Sequence, residues 1–238
     1  MLVGWEVSVY LGAVSALFFP APSTIATTLV RLILRGDLLM HLGTTLSRLA
    51  LGLTIGGISG LVLGLGMGWS PRLRRAADPF VAAVHPIPKI TVLPLIMIVF
   101  GIGETSKIVV VAVGAFFPML ISSMAAVRQI SPIYFEVASN YGASQRQVFT
   151  RVVLPGSLPL VLAGARLAMN VALLITISVE MVTAHQGLGA MIWLAWETLR
   201  TEHLYVGLLV ASVLGISSAR LLQGLTSRLV PWQSNTDR

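Results

Sequence analysis

Four stretches of the chain, roughly 44–68, 106–127, 157–182 and 204–224, run for about twenty or more residues with few charges. At 1.5 Å rise per residue, about 20 apolar residues cross the roughly 30 Å hydrocarbon core of a bilayer as a helix. The chain is 55% hydrophobic and 11% charged, with mean hydropathy +0.87, where a soluble domain carries about 25% charged residues. A polytopic, all-α membrane protein follows. Cysteine is absent, which excludes disulfides, thiolate metal sites and cysteine nucleophiles.

Two further segments are less regular. Residues 88–103 ("PKITVLPLIMIVFGIG") form a short apolar run interrupted by Pro94, able to span only if neighbouring helices satisfy the carbonyls that proline frees. Pro86 and Pro88 keep a regular helix from starting before Pro88, which suits a bend where the chain re-enters the membrane. Residues 7–19 are apolar but too few to cross; they are expected to be the tail of a first span or an interfacial segment. The run lacks the basic n-region of a signal peptide. The resulting expectation is a bundle of five to six spanning helices in one domain covering 1–238. Residues 1–43 would supply a truncated first span and an external segment, 44–227 the core, and 228–238 a tail.

Lysine and arginine are split unevenly between alternate connections. Ten (Arg72, Arg74, Arg75, Lys89, Arg128, Arg146, Arg151, Arg220, Arg228, Arg238) fall on one side and four (Arg31, Arg35, Lys107, Arg200) on the other, with Arg48 and Arg166 inside or at the ends of spans. The positive-inside rule places 69–89, 128–156 and the C-terminus in the cytoplasm. The net charge of +7 is then explained without nucleic acid.

One cytoplasmic connection is unusually long and polar. Ser131-Pro132 is a helix-start signal. Phe135, Val137 and Ala138 give an apolar patch that Tyr141 extends one turn on. Gly142 interrupts, where a positive φ or a close backbone approach is expected, and a second short helix should run from Ser144 to Val153 and stop at Pro155. Two short helices meeting at a glycine make a knob, and exposed Phe135, Val137 and Tyr141 would mark a partner surface. The alternative is an amphipathic helix lying on the membrane.

Glu136, Ala138, Gly142, Val152, Leu154 and Pro155 fall at the spacing of the EAA loop in membrane subunits of bacterial ATP-binding-cassette (ABC) importers, with Val137 and Val152 as mild departures. "FFPAPSTI" at 18–25, "HPIPKITVLPLIMIVFGIGETSKI" at 85–108 and "SVEMVTAHQGLGAMIW" at 178–193 resemble the nitrate, sulfonate, taurine and bicarbonate subgroup of those permeases. The resemblance runs from about residue 5 to about 232. It implies a type I ABC importer permease fold in the inner membrane, and a homodimer served by two ATPase subunits and an external binding protein. ATP and Mg would sit on the ATPase, with no cofactor on this chain and no enzymatic activity. Loop 136–155 would be the coupling helix, with Phe135, Glu136, Val137, Ala138, Tyr141, Gly142, Ala143, Leu154 and Pro155 at the ATPase contact. Members of the subgroup carry a further apolar stretch ahead of a pair like Trp5-Glu6, so the first span is expected to be truncated here.

Charged residues inside spans are functional candidates. Glu180 is expected to serve a structural or gating hydrogen bond, with direct substrate contact as the lesser alternative because a carboxylate repels an anion. Arg166 lies 14 residues earlier on the same run, roughly 21 Å away, so each needs its own partner. Arg48 has the right sign for an anion path, with snorkelling to the interface as its alternative. These make Arg48 and Glu180 the substrate-path candidates. His41, His85, His185 and His203 lie on separate segments without ligand spacing, and no metal is expected. The glycines of 52–68 are followed by no Gly-Lys-Ser/Thr, and at such spacing they indicate close helix packing in lipid. A secondary transporter or channel would share the hydropathy but has no need of the knob, and an intramembrane enzyme would need convergent catalytic groups that are not evident.

Overall fold

A computed structural model describes residues 1–231, and the described residues form helices and their connections without a strand. In order these are α1 (Leu2–Tyr10), α2 (Pro22–Arg35), α3 (Asp37–Trp69), α4 (Pro71–Val84), a 3-10 turn (Lys89–Val92), α5 (Leu93–Phe100), α6 (Glu104–Arg128), α7 (Pro132–Asn140), α8 (Gln145–Val148), a π-turn (Phe149–Val153), α9 (Leu154–Thr183), α10 (Leu188–Glu197) and α11 (Thr201–Leu229). Four helices are long and apolar enough to cross a membrane: α3, α6, α9 with its lead-in from Gln145, and α11. They contain the four apolar runs of the sequence. Of the expected tail 228–238, the part beyond 231 lies outside the described residues.

The helices fall into two compact units, Leu51–Ala172 with the segment from Ser218, and Met1–Ala50 with Leu173–Ser217. In the first of these, glycine sets the packing. Gly56, Gly60 and Gly64 recur every fourth residue on α3, and a Cβ on them would land on the carbonyls of Ala112, Phe116 and Leu120 on α6. The helices therefore touch backbone to backbone, which is how membrane helices gain dispersion contacts that lipid does not supply. The matching face of α6, with Val111, Ala115, Leu120 and Val127, is buried.

The fifth apolar run is half of a bent pair. α4 and the segment Lys89–Phe100 meet at 90° across the Pro86–Pro88 break, and together they make either a broken span or a re-entrant loop, giving a fifth candidate crossing. α4 itself is an addition to the sequence reading. It starts as α7 does, with a proline at N1 after a serine, and here Ser70 Oγ accepts from the Leu73 amide. Lys89 holds the bend: its Nζ donates to the carbonyls of Val84, His85 and Ile87 at 3.0, 2.6 and 2.7 Å and lies 4.5 Å from the Phe117 ring centre. A charged donor thus gathers the carbonyls around a bend whose two prolines have no amide to offer.

The other unit packs Ile25, Leu32, Leu38, Leu188, Met191 and Val206 into one buried cluster. Trp5 of α1 stacks on Tyr205 at 5.8 Å, while Glu6 accepts from the Ser23 amide and hydroxyl at the start of α2. A carboxylate there meets the unpaired amides of a helix N-terminus, so Glu6 ties α1 to α2. Helix α1 stops at Tyr10 and Leu11–Phe19 is turn and coil, in keeping with a 7–19 segment too short to cross.

Candidate functional site: a helical knob and a buried ion pair

The knob is built between α6 and α9. Ser131 precedes Pro132 at N1 of α7, with no side-chain cap bond. At the far end the Ala143 amide donates to Ala138 O and the Gly142 amide to Ser139 O, both at 2.9 Å. These paired bonds form a Schellman motif, which needs its C′ residue in the left-handed region. Gly142 is that residue, at φ +69°, as the sequence led one to expect. Ser144 then opens α8 with a capping box: its Oγ accepts from the Gln147 amide, and Gln147 Oε1 accepts from the Ser144 amide at 2.8 Å.

Two details differ from the sequence reading. The second helix does not stop at Pro155. It passes through the π-turn and continues as α9, with the Leu154 amide reaching back five residues to Phe149 O. The proline ring would collide with the carbonyl four residues earlier in an α-helix, and the extra residue of a π-turn moves that carbonyl away. Phe135 is the second correction, since it is turned inward. Its ring and that of Phe149 lie 6.2 and 5.8 Å from Trp69 at the end of α3, so these rings root the knob. The exposed apolar tip consists of Ile133, Tyr134, Val137 and Tyr141, the last 88% exposed. Ile133, Val137 and Tyr141 follow at four-residue spacing, a signal that the sequence offered beyond Val137 and Tyr141. Glu136, Leu154 and Pro155 are exposed, and Ala138 and Ala143 half-buried.

The Cβ of a residue replacing Gly142 would meet open space, so substitution there costs backbone strain alone, about 1–2 kcal/mol. We expect Gly142→Val to insert at normal abundance and to lose transport. Asn, which tolerates the left-handed region, should retain most of it. Wild-type uptake by the Val variant would refute a coupling role for the knob.

Arg48 and Glu180, unconnected in sequence, are partners. Arg48 Nη1 donates to Glu180 Oε1 at 2.8 Å and to the Gln186 carbonyl at 2.6 Å. Glu180 Oε2 accepts from Thr45 Oγ1 at 2.9 Å and from the Gly189 amide at 3.0 Å. The Leu188 amide donates to Thr45 Oγ1 at 2.8 Å and the Gly187 amide to His41 Nδ1 at 3.1 Å. Arg48 is 2% and Glu180 0% exposed, which excludes snorkelling for Arg48. Together, α3 and α9 supply acceptors and a cation that pin the connection 184–189, and Gly187 at φ +121° sits where any Cβ would strike the Glu180 carboxylate. Glu180 has the partner its burial calls for, whereas among the described residues the buried Nε of Arg166 has none.

A cavity of about 820 Å3 lies beside this lock, with Arg35, His41, His185, Trp193, Arg200 and His203 among its walls. It gathers three histidines that the sequence holds on separate segments. Among the described residues, no three acidic or histidine side chains are grouped so as to hold a metal ion.

Four to five apolar crossings, with a glycine-hinged helical knob inserted before one of them, define the class: the membrane subunit of an ABC importer. The chain belongs to the family described as the binding-protein-dependent transport system inner membrane component, which matches residues 52–231. It is 33% identical over 98% of its length to the taurine transport system permease protein TauC of Escherichia coli (strain K12), covering 86% of that protein. It is 34% identical over 97% of its length to the putative aliphatic sulfonates transport permease protein SsuC of Bacillus subtilis (strain 168), covering 84% of it. Among solved structures, an inward-facing form of the MetNI methionine ABC transporter superimposes with a TM-score of 0.70 at 18% identity, over 84% of this chain and 97% of that one. That likeness shows the type I importer permease fold. The chain is therefore a multi-pass transport subunit and not an enzyme, working with a separate ATPase and a binding protein, and the secondary-transporter reading is set aside.

Proposed function

We propose that this permease forms the path for a small organic sulfonate, within the wider sulfonate, taurine, nitrate and bicarbonate class. The observation that carries this is its identity of one third, over more than four fifths of their length, with permeases named for taurine and aliphatic sulfonates. The partner binding protein sets the final choice, so a thermal-shift screen of that protein against taurine, alkanesulfonates, nitrate and bicarbonate tests the class. Stabilisation by the sulfonates supports it; stabilisation by a cation or a neutral sugar alone would sink it.

In this reading two copies of one transmembrane domain share the path. Two ATPase subunits, which hold ATP with Mg, bind the knobs through Glu136, Val137, Ala138, Tyr141, Gly142, Ala143, Leu154 and Pro155, while Phe135 braces the knob from within. The exposed tip supports that role, because Val137 and Tyr141 offer apolar surface on a base rooted at Trp69. ATP binding draws the knobs together and the spans rock with them; hydrolysis returns them. Arg48 and Glu180, the substrate-path candidates, act in this scheme as a gate-side lock: their charges cancel, and they fix the 184–189 connection at one end of the path.

The charge asymmetry puts the knob and the C-terminus in the cytoplasm. The chain has no cysteine, so single replacements report cleanly. A cysteine at Ser144 should be modified only from the cytoplasmic side and one at Gln186 only from outside. Modification of both from one side would overturn the orientation.

A further inference from the structure

Arg166 lies well inside a spanning helix, and no charge among the described residues answers it. Arg48 is paired with Glu180, and Lys107 with Glu104 at 2.9 Å. Among the described residues no carboxylate pairs with Arg166, and its Nε is buried without a hydrogen-bond partner. It stands nine residues into the apolar run that starts near 157, roughly 13 Å of helix, further than the side chain can reach back to the interface. One turn on, Asn170 is exposed. A guanidinium and an amide open to hydrocarbon are costly, and ionisable groups at that depth face protein or a water-filled cavity. Asn170 belongs to the face of α9 that the described helices leave uncovered, and Arg166, half-buried, stands at the edge of that face.

We propose that the Arg166–Asn170 face of α9 lines the aqueous path and that Arg166 is the group that draws the anion into the membrane. This rests on the permease reading above and assigns the path's positive charge to Arg166, whereas Arg48 is already neutralised. The occupant is a small anion with its water. A guanidinium offers such an anion two parallel N–H donors, and the Asn170 side chain can replace part of its hydration.

Asn170→Cys, reconstituted in liposomes as the complex with its ATPase, tests this. Two methanethiosulfonates of similar size serve as probes, one carrying an ethylsulfonate and the other an ethyltrimethylammonium group. After correction for intrinsic reactivity, the sulfonate should label the permease at least about tenfold faster, since charged clefts concentrate counter-ions by 10-fold or more. Adding Arg166→Gln should bring the ratio to about one, and adding Arg166→Lys should keep most of it. No labelling by either probe would mean that lipid or the second copy covers the face, and would overturn the proposal. So would a preference that survives Arg166→Gln, or a Gln complex that no longer assembles, because Arg166 would then be a packing group. Retention of the ATPase by the Asn170→Cys complex is read separately: its loss would count against the permease reading whatever the probes report.

Discussion

Glu180→Leu should cost the folded permease about 3–5 kcal/mol, the usual consequence of removing one partner from a buried ion pair. The magnitude follows from what remains. Arg48, 2% exposed, would keep its charge without its carboxylate partner, the Gln186 carbonyl being a neutral acceptor, and the Gly189 amide would lose Glu180 Oε2. Adding Arg48→Met should recover more than half of the loss, because two apolar side chains replace a desolvated pair without leaving a charge. Gly187→Ala should resemble the single variant, since its Cβ would displace the carboxylate. Heat-induced loss of monodisperse protein in detergent measures all three. If Glu180→Leu matches the wild type, or if the double variant is no better than the single, the pair is not the lock that holds the 184–189 connection.

That lock shows where sequence reasoning stops. The four crossings were legible because twenty apolar residues have few other fates in a chain this poor in charge, and the glycine ladder of α3 because small residues at a four-residue period permit backbone contact. The knob was legible from Ser131-Pro132 and Gly142, each tied to a local backbone requirement. The pairing of Arg48 with Glu180 was not, since the two are 132 residues apart and nothing local says which buried acid meets which buried base. The inward turn of Phe135 has the same origin: its partner Trp69 belongs to another helix. Helix α4 is a different case, because Ser70-Pro71 carries the same local signal that marks α7. Pro155 misled for a physical reason, as a proline that would end an α-helix is accommodated by one π-turn.

Glu136→Gln should weaken binding of the ATPase by at least about thirtyfold, near 2 kcal/mol at 1.4 kcal/mol per decade. Two roles compete for this residue. As a helix stabiliser it would use the dipole of α7, worth about 0.3–1 kcal/mol and confined to the first turn. Helix α7 begins at Pro132, which makes Glu136 its fifth residue, already beyond that turn. The carboxylate is exposed, and among the described residues no hydrogen bond or ion pair engages it, so the fold itself gains little from the charge. As a docking contact it would meet a basic or donor group on the ATPase and be desolvated there, and truncating one side of such a pair costs about 2–5 kcal/mol. Gln keeps the shape of Glu136 and the apolar surface of Val137 and Tyr141 beside it, leaving charge as the only variable. Titration of the ATPase against the variant in nanodiscs, with Ser144→Ala as a control for the knob's own stability, separates the roles. A loss of fivefold or less, equal to that of the control, would return Glu136 to a helix residue and leave docking to the apolar tip alone.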